Sequence, residues 1–157
     1  MRKRISSLHA QRAIPEPGQW LDVSQLALVE ITSEDPSRTI ESVFRASSGP
    51  GWRAASSGRQ TIRLIFDEPQ SIRRIYMEFQ EADRARTQEF TLRWRAANGT
   101  DDQQIVRQQY NFSPGGSTRE VEDFRVNLVG VVALELTIVP DIGGGDVRAS
   151  LQRFLLE

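Results

Sequence analysis

At 157 residues, with 38% hydrophobic and 26% charged side chains, the chain can bury one sizeable core and is too apolar to be disordered throughout. A net charge of −1 supplies no overall field to recruit nucleic acid or an anionic membrane, and no apolar run reaches the roughly 18 residues a bilayer span needs. Cysteine is absent, so disulfides and thiolate metal sites are excluded and redox chemistry says nothing about compartment.

The start, Met1-Arg2-Lys3-Arg4-Ile5-Ser6, is charged like the head of a secretion signal but has no apolar stretch behind it, so a cytoplasmic location is the expectation. Lys3 is the sole lysine among the 20 basic residues; all the others are arginine. Guanidinium forks suit carboxylates, phosphates and aromatic faces better than ammonium groups do. GC-rich codon usage gives the same bias, and the sequence leaves the two explanations open.

In chain order, residues 1–18 read as an extended lead-in, because Pro15 and Pro17 forbid a helix interior. The domain itself is expected over 19–157. Residues 26–32 (Leu-Ala-Leu-Val-Glu-Ile-Thr) form a first strand. The cluster Ser33-Glu34-Asp35-Pro36-Ser37 turns the chain, and one or two helical turns are expected over 37–44. A Ser- and Gly-rich loop covers 45–59.

Residues 60–66 and 72–79 alternate apolar and polar side chains at period two, the pattern of half-buried antiparallel strands, with a turn at Pro69 between them. The polar break 81–86 leads to strand 89–96, where Phe90, Leu92 and Trp94 share one face. Asn98-Gly99 signals a hairpin into strand 104–112. After Pro114-Gly115-Gly116 come strands 118–128 and 131–139, the latter apolar enough to be central. The loop 140–146 precedes a closing strand over 149–156. Seven or eight short strands with turns between them, and no βαβ rhythm, give an all-β antiparallel sandwich or jelly roll.

In this order the elements resemble the discoidin-like family, the coagulation-factor type C domain with its galactose-binding-domain-like jelly roll. Ile31-Thr32-Ser33-Glu34 resembles the family's first strand and its exit, and Gly51-Trp52-Arg53-Ala54 the tryptophan closing its first long loop. Residues 61–66 with 72–79, then 90–95 before Asn98-Gly99, resemble the middle strands, and 149–156 the last. The likeness spans about 22–157. Val43-Phe44-Arg45-Ala46 stands where the family has Leu-Asp-Gly, and the cysteine pair of its extracellular members is missing, as in an intracellular or bacterial member. The resemblance implies a non-catalytic binding domain, commonly for carbohydrate and otherwise for phospholipid or protein. It places the ligand on loops at one end of the barrel, here 45–53, 80–88 and 110–118.

Trp52 and Arg53 lead the candidate ligand residues. An indole face stacks on the weakly positive C–H groups of a sugar ring, and a neighbouring arginine donates to hydroxyls or a carboxylate. Core packing beneath the loop is the competing role for Trp52, and also for Phe44. Arg84, Arg86 and Gln88 supply donors and acceptors in one short span, as does a solvated hairpin end. Tyr110 and Asn111 are good sugar partners, although Tyr110 and Phe112 also fit a buried face. Arg73, Arg93, Arg95 and Arg107, alternating with Glu78 and Glu89, read as a salt-bridged surface. Asp141 and Asp146, around three glycines, suit calcium or a flexible turn; no other cofactor is indicated.

An enzyme is not expected. His9 is the only histidine and lies in the lead-in, and nothing local to Glu68, Glu78, Glu81 or Glu89 suggests the raised carboxyl a glycosidase needs. Two functions compete: a carbohydrate-binding module, and a protein-interaction or assembly domain of the same fold, dimeric in one version.

Overall fold

The computed structural model describes residues 20–157. The lead-in expected over 1–18, with its proline turn and His9, lies outside them. A single helical turn, α1 (Val23–Leu26), ends where Ala27 takes extended dihedrals (φ −142°, ψ 150°) and begins β1 (Ala27–Ile31). A 3-10 turn over Ile40–Phe44 matches the expected helical turns and buries Ile40, Val43 and Phe44.

The body of the protein is built on two 21-residue strands, β3 (Gln60–Gln80) and β6 (Arg119–Val139), paired antiparallel along their length. The sequence divides each in two. The halves of β3 do not fold back on one another at Pro69; the strand runs on and changes partners. Residues 62–66 pair with β1 on one side, and 75–78 pair with β8 (Arg153–Leu156). Between Ile65 and Arg74 the ladder to β6 shifts register, and Asp67, Glu68 and Pro69 stand exposed. A proline without an N–H, in a segment with an interrupted ladder, bends a strand instead of ending it. In β6 the matching bend falls at Gly130, whose φ of 70° favours glycine and whose carbonyl accepts the Ala97 amide at 2.8 Å.

The remaining strands complete an antiparallel jelly roll. β4 (Arg86–Ala96) and β5 (Gln103–Phe112) form the hairpin expected at Asn98-Gly99, with the Gly99 amide donating to the Ala96 carbonyl at 3.0 Å. The sheet order is β1-β3-β6-β4-β5, with β8 beside the second half of β3. The apolar half of β6 is central, between β3 and β4, as its composition implies. Two corrections concern short strands. β2 (Trp52–Ser57) lies inside the stretch read as loop and pairs with β7 (Arg148–Leu151) in a separate ribbon. The single closing strand expected over 149–156 is β7 and β8, broken at Gln152, whose amide donates to the Glu78 carbonyl at 2.8 Å as the chain changes sheets.

The core gathers the inward faces. Gln60, Ile62, Leu64 and Phe66 alternate inward along the first half of β3, whereas Ile75 through Phe79 are all buried, as in a strand covered on both faces. Phe79 stacks on Phe90 with centroids 5.6 Å apart. Each fully buried side chain of this size contributes about 1.5–3 kcal/mol relative to exposure. Glu78 sits within this buried run, not on the salt-bridged surface the sequence suggests. It accepts from Arg119 at 2.7 Å and Arg153 at 2.8 Å. Burial pushes its carboxyl up, but the two guanidiniums outweigh that and hold it below the usual carboxylate range.

Candidate functional site

The ribbon of β2 and β7 sets the geometry. Alternation turns Trp52 and Ala54 inward on β2, and Ala149 and Leu151 inward on β7. Their neighbours Arg53, Arg148 and Ser150 therefore share the outward face, with Arg53 directly opposite Ser150. That face looks onto the β3–β4 connection, 81–85, and the end of the β6–β7 connection. Between them lies a groove of about 500 Å³ walled by Arg53, Glu81, Asp83, Arg84, Asp146 and Arg148. A second depression of about 240 Å³ shares Arg53, Glu81, Asp83 and Arg148 and extends to Arg38, Ser150 and Gln152. The two form one continuous polar cleft.

Its edges are held by backbone bonds. The Arg53 amide donates to the Arg38 carbonyl at 3.1 Å, and the Asp35 amide to the Arg53 carbonyl at 2.9 Å, so the 35–38 turn docks against β2. Gly51 leads into the ribbon with φ 77°. A Cβ there would stand 2.8 Å from the Leu151 carbonyl and the Gln152 side chain, so glycine is required for the close approach.

Charge in the cleft is unevenly satisfied. Glu81 accepts from Arg86 at 2.8 Å and from the Asp83 amide at 3.1 Å. Burial pushes its carboxyl up, but Arg86 and the amide outweigh this and hold it down, so Glu81 is ionised and already matched. Arg84 donates to the Asp146 carbonyl at 3.3 Å and Arg38 to the Pro50 carbonyl, bonds that leave their positive charge uncancelled. Arg148 reaches Asp35 only at 3.9 Å. The Asp35 carboxyl is lowered mainly by hydrogen bonds from Ser37, with Arg148 and Arg53 adding less. Arg53 forms no side-chain hydrogen bond or ion pair among the described residues.

Of the residues singled out from sequence, Arg53, Arg84 and Asp146 meet in the cleft; the others are elsewhere. Trp52 is fully buried and its Nε1–H donates to the Ser33 carbonyl at 3.1 Å, so it takes the core role and offers no face for stacking. Phe44 is also core, with its ring centroid 6.2 Å from that of Phe154. Arg86 and Gln88 are not loop-tip ligands but buried β4 residues. Arg86 bonds Glu81, Gln88 and the Pro140 carbonyl and lies over the Phe112 ring at 4.7 Å. Gln88 donates to Glu120 at 3.1 Å. Tyr110 is half-buried, its hydroxyl donating to the Arg119 carbonyl at 2.9 Å, and exposed Asn111 accepts from Thr87 at 2.6 Å; neither lines the cleft. The Asp141 carboxylate caps the Gly143 amide at 3.0 Å, and the described residues contain no cluster of three or more side chains that could hold a metal ion.

Sequence reasoning missed Arg38, Arg148, Ser150 and Gln152. The alternation of 148–151 carried a signal for two of them, once that stretch is read as a strand with Ala149 and Leu151 inward. It also missed Glu120, fully buried and raised to about 8, mainly by burial and then by the neighbouring Glu122 carboxylate.

No protein-family model matches the sequence, and no curated protein matches it. Solved structures do. The family 32 carbohydrate-binding module of C. perfringens NanJ, in complex with galactose, superposes with TM-score 0.64 at 11% identity, covering 87% of this chain and 96% of that one. A pectin-binding carbohydrate-binding module gives 0.61 at 15%, covering 85% and 91%. The N-terminal domain of the single-strand break repair protein XRCC1 gives 0.58 at 14%, covering 84% and 98%. The fold is thus the galactose-binding-domain-like, discoidin-like jelly roll that the order of its strands resembles.

Proposed function

We propose that this chain is a non-catalytic carbohydrate-binding module that takes its ligand in the cleft between the β2–β7 ribbon and the β3–β4 connection. The observation that carries this reading is the cleft itself: about 500 Å³ walled by side chains that donate and accept hydrogen bonds, on the outward face of the β2–β7 ribbon. Modules of the same fold solved with galactose and with 4,5-unsaturated mannuronic acid support it. The position of Glu120, the one carboxyl strongly raised among the described residues, supports a binding role over a catalytic one. Glu120 is fully buried and does not line the cleft, so it cannot reach a glycosidic oxygen there.

Backbone amide NMR during titration with a panel of neutral and acidic oligosaccharides tests the proposal. Shifts are expected at 53, 81–85 and 146–152. A panel without a single binder at millimolar concentration, or shifts confined to another surface, would reject it.

A further inference from the structure

Resting on that reading, we infer that the cleft selects saccharides bearing a carboxylate, gripped by Arg53 and Arg148. The first ground is what the surface lacks. Every aromatic residue of the chain lies within the described residues, none of them is exposed, and none lines the cleft. A neutral sugar usually adds ring stacking to its hydrogen bonds. Here stacking has no platform, so affinity must come from polar and charged contacts.

The second ground is the charge left over. Arg86 already neutralises Glu81 from the side. Arg38, Arg53, Arg84 and Arg148 then face only Asp83 and Asp146 within the cleft, with Asp35 at its margin. Among the described residues Arg53 has no ion-pair partner, and Arg148 has only the 3.9 Å approach to Asp35. The two lie on one outward face of the ribbon, both line the groove and the depression beside it, and both lower the Asp35 carboxyl; a guanidinium fork matches a planar carboxylate with two parallel hydrogen bonds. Ser150 and Gln152, beside them, remain for ring hydroxyls, though the Gln152 amide already donates to the Gly49 carbonyl at 2.7 Å.

The test compares trigalacturonic acid with its methyl ester, a ligand of the same shape without the charge, alongside a neutral galacto-oligosaccharide, by isothermal titration. The free acid is expected to bind about 10- to 100-fold tighter than the ester, the range for charge-assisted hydrogen bonds. In Arg53→Gln/Arg148→Gln that preference should fall below about 3-fold, with the melting temperature moved by no more than ~2 °C because both side chains are exposed. Raising sodium chloride should weaken the acid and leave the ester unchanged. Equal affinity for acid and ester, or binding of the neutral sugar alone, would overturn the carboxylate selectivity and leave the carbohydrate reading standing. Tighter binding of a sulfated galacto-oligosaccharide than of the uronate would also overturn it. Failure of all these sugars to bind would remove both.

Discussion

Trp52 shows how one residue can match a functional pattern and serve the core. It ends a Ser- and Gly-rich stretch beside an arginine, as a stacking residue would, yet its neighbours alternate. Ala54 follows it inward while Arg53 and Ala55 point out, and that alternation is what a strand edge looks like. The ring fills the interior and its N–H satisfies the Ser33 carbonyl across from it. Trp52→Ala is therefore expected to cost about 3–5 kcal/mol of stability through the cavity and the lost bond. Urea denaturation measures this, and a loss below about 1 kcal/mol would contradict the buried placement. Arg53 next to it should behave oppositely: binding changes and stability does not.

At the scale of elements, strands β4, β5 and β6 enclose a polar layer that no single stretch of sequence announces. Gln88 from β4 donates to Glu120, and Gln108 from β5 donates to Glu122 at 2.8 Å, so two carboxyls of β6 stand together, Glu120 buried and Glu122 half-buried. Burial, then the charge of Glu122, raises Glu120 to about 8 from its ordinary 4.5. Below 4.5 both folded and unfolded chains hold that proton. As pH rises towards 8 only the folded chain keeps it, so stability falls, by up to about 1.4 kcal/mol per pH unit, and above 8 the loss is complete. Glu120→Gln keeps an acceptor for Gln88 and a donor for Glu122 without the titration. It should flatten the stability–pH curve between pH 5 and 8 and raise stability at pH 8.5, read from urea midpoints. An unchanged slope would show that Glu120 is not the group responsible. The strands themselves were legible wherever period two holds, as in 60–66 and 90–94. Their ends were not, because Pro69 and Gly130 punctuate a sequence equally whether a strand stops or merely bends, and only its partners decide. The cleft was half legible for a similar reason: Arg53 and Arg84 stand out in polar loops, whereas Arg148 and Ser150 gain meaning only from pairing with β2.

Across the whole molecule, β3 is the piece that every distant part of the chain must find. Its first half carries β1 from the early chain, its second half carries β8 from the last residues, and β6 runs along both. The two ends of the described residues also meet directly, since the Leu21 amide donates to the Leu156 carbonyl at 2.7 Å. Phe154, Leu155 and Leu156 are each no more than 1% exposed, and Arg153 is one of the two guanidiniums that neutralise buried Glu78. Ending the chain after Gln152 would remove three core side chains, open one edge of β3 and leave Glu78 with Arg119 as its one guanidinium partner among the described residues. Loss of one large core side chain costs about 2–5 kcal/mol, and the net stability of a domain is only about 5–15 kcal/mol. The truncated protein should therefore lose its cooperative thermal transition and its near-ultraviolet dichroism together, although the deletion spares every residue that lines the cleft. A truncated chain that still melts in one sharp step would mean that β8 caps a core already complete without it.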